Sequence, residues 1–409
     1  MQLFKDQIEI PCKRGNKRGF ERLQVLLDSI CLRRTKKERN SNGEALVNLP
    51  EKHMITREVE LDEEERNCYN IYRAKAREII SRFKRRGELM KNYAHVFALM
   101  TRLRQICCHR ELITGINWEE ALHENKELIN QISEAQTHQQ FIEEIKALIR
   151  SGVSPDCSSC LSEPQLPVIT PCAHIFCRAC LDQVLQMSRP GGKCPVCQSV
   201  FNKRQVIEVS LTEDRKNASM FLENMKDIVV ECSSSKVNST LKEVLRVERD
   251  FPGDKIVIVS QFTSFLSMLQ PLLRKRKISF VRLDGSMNHM KRTESIKSFQ
   301  SRNNNSPNVL LLSLKAGGVG LNLTAANHLM LLDPAWNPAA EWQCFDRIHR
   351  LGQQKTVYIY RFLVTNSVEE KMLEIQMRKQ NLISGAFQSN QGPDQRRRRV
   401  EEVMDIFGF

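Results

Sequence analysis

A dense cluster of cysteines with a single histidine lies between Cys157 and Cys197. It contains three Cys-x2-Cys pairs and one Cys-x-His pair, and a Cys-x2-Cys turn lets two thiolates reach one ion. Thiolate sulfur and imidazole nitrogen are the ligands that hold zinc tetrahedrally. The alternative is that these eight side chains bind no metal, but Cys-x2-Cys turns in such a cluster seldom occur without a metal ion. We therefore expect a zinc-binding domain with the ligands Cys157, Cys160, Cys172, His174, Cys177, Cys180, Cys194 and Cys197.

The remaining cysteines and the N-terminus favour an intracellular protein. Seven of the 14 cysteines fall outside the cluster and are scattered, as reduced thiols usually are. Met1–Gly15 is polar and basic and lacks the apolar core of a signal peptide. No apolar run reaches the length of about 18 residues that a membrane span needs. Clustered cysteines in such a chain favour metal over disulfides, and we expect no membrane partner.

The spacing resembles the RING family at all eight positions, which places such a domain at residues 154–203. About fifty residues bury little core, so metal binding supplies much of the folding free energy. In the RING family the ligands interleave between two zinc ions. By that resemblance Cys157, Cys160, Cys177 and Cys180 hold one zinc, and Cys172, His174, Cys194 and Cys197 hold the other.

The resemblance also implies an activity, because RING domains usually recruit a ubiquitin-conjugating enzyme and speed the discharge of ubiquitin. Leu161, Pro195 and Val196 supply part of the apolar platform for that partner. Two positions depart from the pattern. Ser159 stands where an aliphatic residue is usual, and Gln198 stands where an arginine or lysine often clamps ubiquitin. A zinc-binding module without ligase activity therefore stays open as the alternative.

The net charge favours a polyanionic partner. Lysine and arginine total 62 against 48 aspartate and glutamate residues, a surplus of +14. A surplus of this size suits nucleic acid, although a basic surface without a ligand gives the same count.

The chain divides into five segments by pattern. Two stretches before the cysteine cluster are typical of helices, Asp62–Arg86 with its acidic first turn and Tyr93–Cys108 with apolar residues at helical spacing. We predict the end of a first motor lobe and a linker at residues 1–53, a helical linking region at 54–150, the RING at 154–203, an α/β lobe at 236–385 and a basic tail at 386–409.

After Lys236, short apolar runs alternate with amphipathic helices. Apolar runs between helices on both sides indicate a parallel sheet covered on two faces, which is an α/β fold. The predicted strands are Lys255–Ser260, Ile278–Leu283, Val309–Ser313, His328–Leu332 and Thr356–Val364.

A glycine-rich loop, Lys315–Leu323, follows one of these strands. Such a loop brings backbone N–H groups close to a ligand, but alone it is weak support for a binding site. A second element is more specific. Asp333–Pro338 breaks the chain, and the predicted helix that follows carries Gln343, Arg347 and Arg350 at the spacing of one helix face. Two arginines on one helix face would ordinarily be exposed to solvent without a binding role.

The string from Asp333 through Leu351-Gly352-Gln353 closely resembles the last motif of Swi/Snf-type ATPases. Ile256–Leu266 and Arg282–Ser286 are similar to that family's first motifs in the second, RecA-like helicase lobe. Cys31–Lys36 and Arg102–His109 resemble its linking segments. A RING inserted between the motor lobes marks the helicase-like transcription factor group, whose members are nuclear, act on double-stranded DNA in repair and chromatin, and are often ubiquitin ligases.

By this resemblance each motif residue has an expected role. Arg347 and Arg350 are the arginine fingers that neutralise charge on the γ-phosphate. Gln343, Gly318 and Gly320 contact the nucleotide. The residues that couple the nucleotide cleft to DNA are Gln261, Asp284, Gly285, Lys315 and Asn322.

A complete motor also needs a P-loop, G-x-x-x-x-G-K-S/T, and an acidic motif that holds Mg²⁺. The string Gly191-Gly192-Lys193 is followed by Cys194, a predicted zinc ligand, and Asp62–Glu65 lacks a preceding apolar strand. We therefore expect the C-terminal half of a motor, which binds ATP and Mg²⁺ only with a first lobe that this sequence lacks.

Three functions are compatible with these patterns. The first is half of a nuclear DNA translocase that carries a ubiquitin-ligase module, with double-stranded DNA or chromatin and a ubiquitin-conjugating enzyme as partners. The second is a non-catalytic zinc-binding scaffold, favoured by the missing P-loop and by Ser159 and Gln198. The third is an RNA helicase lobe, against which the Asp333–Gln353 string and the inserted RING both argue.

Overall fold

A computed structural model gives the fold as two compact units, Met1–Pro50 with Lys371–Phe409, and Glu51–Glu370. Among the residues described, no helix is both long and apolar enough to cross a membrane. The predicted linking motif Cys31–Lys36 lies outside these residues. The structure describes residues 2–13, 16–30, 47–89, 91–113, 138–150, 153–154, 157–160, 164–187, 192–209, 234–285, 287–301, 303, 306–317, 320–386 and 395–408.

Helices occur in both units, and the basic tail predicted at 386–409 contains one of them. A π-helical turn covers Lys5–Glu9, and 3₁₀ turns cover Arg110–Leu112 and Lys203–Gln205. The helices are α1 Gln2–Phe4, α2 Ile10–Lys13, α3 Lys17–Ile30, α4 Glu63–Arg85, α5 Tyr93–Cys108, α6 His138–Arg150, α7 Arg178–Met187, α8 Ser235–Asp250, α9 Thr263–Lys275, α10 His289–Gln300, α11 Leu314–Gly317, α12 Pro338–Ile348, α13 Val368–Ala386 and α14 Gln395–Phe407.

Within the described residues, the strands all belong to the larger unit. They are β1 Lys52–Val59, β2 Pro167–Ile169, β3 Ile175–Cys177, β4 Gly192–Lys193, β5 Val200–Phe201, β6 Ile207–Glu208, β7 Ile256–Ser260, β8 Phe280–Leu283, β9 Val309–Ser313, β10 His328–Leu331 and β11 Val357–Val364.

Six of these strands form one parallel sheet in the order β1-β11-β10-β7-β9-β8. Strands β7, β9 and β10 are buried along their whole length, because helices cover both faces of the sheet. The structure therefore confirms the parallel α/β lobe that the alternating pattern predicts.

Strand β1 differs from the prediction that residues from 54 onward are helical. It pairs in parallel with β11 from Lys52↔Val357 to Val59↔Val364 and forms one edge of the lobe's sheet. Only Val59 at its end is fully buried, so the segment has no apolar run that would mark it as a strand. Its partner lies about three hundred residues away, and no local pattern reports such a pairing.

Helix α4 begins at a capping box. Asp62 accepts a hydrogen bond from the backbone N–H of Glu65 at 2.8 Å, and Glu65 accepts one from the N–H of Asp62 at 3.2 Å. Glu65 also accepts a hydrogen bond from the backbone of Ser235, at the start of α8, at 3.0 Å. The helical region is thereby tied to the α/β lobe.

The smaller unit is held by local contacts. The backbone N–H of Asn16 donates to Pro11 at 2.9 Å between α2 and α3. A Cβ at Gly19 would lie 2.7 Å from the Cβ of Pro11, so only glycine allows this close approach. An ion pair between Arg378 and Asp405 joins α13 to α14.

Candidate functional site

The cysteine cluster folds into two small sheets and one helix. Strands β2, β3 and β6 form an antiparallel sheet, β4 pairs with β5, and α7 follows β3. The ligand side chains lie in two groups, and within each group the ligand atoms are all within 4.8 Å of one another. The groups are Cys157, Cys160, Cys177 and Cys180, and Cys172, His174, Cys194 and Cys197.

Both groups fit zinc. A tetrahedral zinc with metal–sulfur bonds of about 2.3 Å separates its sulfur ligands by roughly 3.8 Å. The sulfurs of Cys160 and Cys177 are 3.8 Å apart. In the second group, Nδ1 of His174 lies 3.3 Å from the sulfur of Cys172. These are the two interleaved sets that the RING resemblance implies.

The pKa shifts of the cysteine thiols indicate which of them carry protons that zinc must displace. Burial raises the pKa of Cys177 to about 11 and that of Cys180 to about 12, so both thiols keep their protons at neutral pH without a metal. Hydrogen bonding from Cys194 lowers the pKa of Cys172 to about 3. The hydrogen bond with Cys172, and then burial, likewise raise the pKa of Cys194 at the second site, so zinc binding releases protons at both sites.

Two supporting contacts at the second site could not be predicted from ligand spacing. The hydroxyl of Thr170 donates to the carbonyl of His174 and accepts from its N–H, both at 3.1 Å, which closes the ligand-bearing turn. Nε2 of His174 lies 2.7 Å from the backbone carbonyl of Lys91 in the linking region. A carbonyl only accepts, so Nε2 carries the proton and Nδ1 is the nitrogen that faces the metal.

The residues predicted to contact a conjugating enzyme are only partly described. Pro195 and Val196 are partly buried, and Leu161 lies outside the described residues. Gln198 is exposed and has a left-handed backbone conformation with φ +63°. Its side chain is therefore accessible to a partner.

Four residues of the motor-lobe motifs lie where strands of the six-stranded sheet end. Gln261 follows β7, Asp284 follows β8, Lys315 follows β9 and Asp333 follows β10. The strands are parallel, so these are all carboxyl ends, where ligands of open α/β sheets bind.

A buried carboxylate, Asp333, organises the turns after β7 and β10. It accepts hydrogen bonds from the hydroxyl of Ser260, from the backbone N–H of Gln261 at 3.2 Å and from Nε2 of Gln261 at 2.6 Å. Nε2 of Gln261 also donates to the carbonyl of Pro334 at 2.9 Å. The side-chain amide of Gln261, which is predicted to couple to DNA, therefore forms hydrogen bonds that join two neighbouring turns.

Asp284 has a similar internal role. Asp284 is 3% exposed, and its carboxylate accepts from Nε of Arg282 at 2.5 Å. Arg292 donates to the carbonyls of Asp284 and Gly285, each at 3.1 Å. The side chain of Asp284 therefore shapes the turn after β8, while the backbone of Gly285 stays at the surface.

Helix α12 carries two of the three residues predicted for one helix face. Gln343 is exposed, and Nε of Arg347 donates to the carbonyl of Gly317 at 3.0 Å. The helix ends at Ile348, so Arg350 lies beyond it and the expectation of three residues on one helical face is wrong for Arg350. Arg350 is exposed at the edge of the lobe.

Gln353 is the physical reason for this early end, and its sequence pattern predicts no such role. Its Nε2 donates to the carbonyl of Ile348 at 3.0 Å and to that of Ala326 at 2.8 Å. Its own backbone N–H donates to the carbonyl of Arg350 at 3.0 Å. One buried amide therefore satisfies the last turn of α12 and fixes the segment that carries Arg350.

The glycine-rich loop begins as the single turn α11. A Cβ at Gly317 would lie 3.2 Å from the sulfur of Cys344, so glycine permits close packing of α11 on α12. Gly318 lies outside the described residues. Gly320 has φ +31° and is exposed, as are Lys315 and Asn322.

Arg104, from the linking region, contacts the turn that follows β10. Arg104 of α5 is 3% exposed, and its Nη2 donates to the carbonyl of Pro334 at 2.7 Å and lies 3.8 Å from Oδ1 of Asp333. Its guanidinium stands 5.3 Å from the ring centroid of Phe262. Burial raises the pKa of Asp333, and the charge of Arg104 opposes that shift.

We expect Arg104→Met to destabilise the larger unit by about 3–5 kcal/mol, because it leaves the Asp333 carboxylate buried without its cation. Denaturant unfolding measures the change. The double variant Arg104→Met with Asp333→Asn is the control, since it removes both charges and should recover part of the loss. Equal stability of Arg104→Met and the unaltered chain would contradict this role.

Three family models match the chain in succession. The SNF2-related domain matches residues 1–112, the C3HC4-type RING zinc finger residues 157–197, and the helicase conserved C-terminal domain residues 235–352.

Curated relatives match nearly the whole chain. It is 41% identical to the helicase-like transcription factor of Homo sapiens, over 93% of this chain and 36% of that protein. It is 37% identical to a putative SWI/SNF-related matrix-associated actin-dependent regulator of chromatin, subfamily A member 3-like 1, of Arabidopsis thaliana, over 98% of this chain and 44% of that protein. It is 35% identical to the DNA repair protein RAD5B of Arabidopsis thaliana, over 98% of this chain and 31% of that protein. The chain thus spans less than half the length of these relatives, and it belongs to the Swi/Snf-type superfamily-two ATPases with an inserted RING finger, the family of the helicase-like transcription factors and RAD5 proteins.

Proposed function

We propose that this chain supplies the second motor lobe of a nuclear, DNA-dependent ATPase together with a RING ubiquitin-ligase module, and acts in DNA repair or chromatin remodelling. The observation that carries the proposal is the gathering of the motif residues at the carboxyl edge of one parallel sheet. The relatives support it, because one is named as a DNA repair protein and another as a regulator of chromatin.

In this proposal ATP lies between this lobe and a first lobe that supplies the P-loop and the Mg²⁺ ligands. Arg347 and Arg350 then approach the γ-phosphate when the lobes close. Their fixed positive charge stabilises the negative charge that develops during transfer to water. Gln343, Gly318 and Gly320 contact the nucleotide. The 409 residues contain no P-loop string, so the chain alone offers an open half-site and does not hydrolyse ATP.

The DNA contacts are proposed at the same edge of the lobe. Lys315 and Asn322 are exposed within the glycine-rich loop, and in this proposal they contact the phosphate backbone. Gln261 and Asp284 act indirectly, since their side chains hold the turns after β7 and β8. The backbone of Gly285, directly after Asp284, lies at the surface. The surplus charge of +14 favours a polyanionic partner, and in this proposal that partner is double-stranded DNA.

A protein that joins a P-loop lobe upstream of this chain tests the motor proposal. DNA-stimulated ATP hydrolysis should appear in the joined protein and be absent from this chain alone. Hydrolysis by this chain alone would contradict the proposal, because it would require a phosphate cradle that the sequence does not contain.

For the RING, we propose two zinc ions and a ubiquitin-conjugating enzyme as partners. The two ligand groups support zinc. Pro195 and Val196 beside the second site supply apolar surface for the enzyme.

Gln198→Arg should raise the rate of ubiquitin discharge roughly tenfold, because a charged hydrogen bond to ubiquitin contributes about 1.5 kcal/mol or more. Gln198 is exposed and already has a positive φ, so arginine adds no new backbone strain. The assay follows discharge from a panel of charged conjugating enzymes, with Gln198→Glu as the control of opposite charge. An arginine variant no faster than the glutamate variant would contradict a clamping role.

A non-catalytic scaffold is the second candidate, favoured by Ser159 and Gln198 in the RING and by the missing P-loop string. It predicts zinc and DNA binding with no ubiquitin discharge across the whole panel, for the unaltered chain and for Gln198→Arg alike. Activity with any one conjugating enzyme would exclude it.

A further inference from the structure

Helix α5 contacts the RING at one end and the α/β lobe at the other. Its 16 residues, Tyr93–Cys108, span about 24 Å at a rise of 1.5 Å per residue. A continuous helix of this length transmits position far better than a flexible linker. The contacts at its two ends therefore decide whether the RING is a tethered module or a fixed one.

The RING end is anchored through a zinc ligand. Lys91 lies directly before Asn92, the N-terminal boundary residue of α5, and its carbonyl accepts from Nε2 of His174 at 2.7 Å. The other ring nitrogen of His174 belongs to the second ligand group. A ligand whose outer nitrogen donates to a backbone carbonyl is oriented by that bond, and the metal strengthens the donor in return.

An apolar contact supports this anchor from the side. Helix α6 presents Ile142, Ile145 and Ile149 to the face of the small RING sheet, where Ile169 and Ile175 lie. These five side chains are each at most 3% exposed.

Helix α6 is in turn fixed to α5. Arg102 of α5 and Glu144 of α6 form an ion pair at 2.5 Å, with exposures of 18% and 14%. Ala94, near the start of α5, packs against the same apolar cluster. The RING sheet thus rests on two helices that are bonded to each other.

The lobe end is anchored by buried polar groups. Arg104 donates to the carbonyl of Pro334 in the turn after β10. At the end of α5, the hydroxyl of Ser234 donates to the carbonyl of Cys108 at 2.7 Å. The same hydroxyl accepts the backbone N–H of Val237 in the first turn of α8 at 3.2 Å. One serine thus caps two helices from different parts of the fold.

We propose that α5 is a rigid strut that holds the RING in one orientation against the α/β lobe, with the zinc ligand His174 as its anchor on the RING. A conjugating enzyme on the outer face of the RING is then presented at a fixed position relative to the motor edge. The rigidity of this strut does not depend on ATPase or ligase activity. A test of the strut can therefore succeed or fail whether or not either activity is found.

His174→Cys tests the anchor in the whole chain. It keeps four zinc ligands at the second site but removes the N–H that donates to Lys91. We expect two zinc ions per chain and amide exchange across residues 88–97 that is at least about tenfold faster, because opening of this segment loses a metal-assisted hydrogen bond. Cys160→His is the matched control, since it exchanges a ligand type at the exposed edge of the other site and should leave residues 88–97 unchanged. A His174→Cys protein with two zinc ions and unaltered exchange there would overturn the proposal.

A distance measurement keeps the proposal testable if His174→Cys does not fold. Spin-labelled non-natural residues at Val200 in the RING and Met290 on α10 report the orientation directly, and both positions are exposed. The strut predicts one narrow distance distribution in the zinc-loaded chain by pulsed electron paramagnetic resonance. A broad distribution would show a tethered RING and would overturn the proposal.

Discussion

Cys172→Ala is expected to unfold the RING while the α/β lobe stays folded. Strands β2 to β6 are two or three residues long, and their shared core is a small cluster around Phe176 and Phe201. Such a core cannot offset the conformational entropy of about fifty residues. Structural zinc contributes an apparent free energy of about 10–16 kcal/mol in small zinc domains, so the loss of one ligand removes the main stabilising term.

Metal analysis and hydrogen exchange measure this result together. Zinc should fall from two ions per chain, and amides of β2 and β3 should lose protection while those of β7, β9 and β10 keep it. Cys12→Ala is the matched control, because Cys12 lies outside both ligand groups and should leave zinc and exchange unchanged. Two zinc ions and protected RING strands in Cys172→Ala would contradict the metal assignment.

Arg350→Ala, in a protein that also carries a P-loop lobe, is expected to lower kcat by about 10³-fold or more, the range in which arginine fingers act. KM for ATP should change much less, because a finger acts mainly in the transition state. Arg350 lies beyond α12 and is exposed, so its removal should leave the lobe intact.

Arg347→Ala should give a comparable loss of kcat and a larger change in KM, because Nε of Arg347 also fixes the carbonyl of Gly317 in the glycine-rich loop. The matched control is Arg276→Ala. Arg276 is exposed after α9, at the opposite edge of the sheet, so this variant removes the same charge away from the cleft. A loss in Arg276→Ala equal to that in Arg350→Ala would show a general effect of charge on DNA binding instead of a finger.

The core of the fold was predictable because its signals are local. The apolar run Val309–Ser313 is a strand with the bounds expected, and Tyr93–Cys108 is a helix with the bounds expected. The strand shows as a continuous apolar run and the helix as apolar residues at helical spacing, and the sequence displays both directly. Ligand spacing likewise reports on zinc sites, because a Cys-x2-Cys turn is a local structure.

What sequence did not predict depends on distant partners. Strand β1 is mostly polar and is defined by its pairing with β11. The early end of α12 is caused by the amide of Gln353, which no helix-stop pattern marks. The sequence does not distinguish Arg104 from other arginines, and only the fold shows that it is buried beside Asp333. These contacts join segments that are far apart in sequence, so only the structure shows them.

DNA-stimulated ATP turnover, measured side by side for three proteins, decides whether this chain is the second lobe of a motor. The three are this chain, the same chain joined to a P-loop lobe, and the joined protein with Arg350→Ala. We expect no turnover for the first, clear DNA-stimulated turnover for the second, and a loss of about 10³-fold in the third. Robust turnover by this chain alone, or an unchanged rate in the Arg350→Ala protein, would show that the lobe does not complete an ATP site in the way proposed.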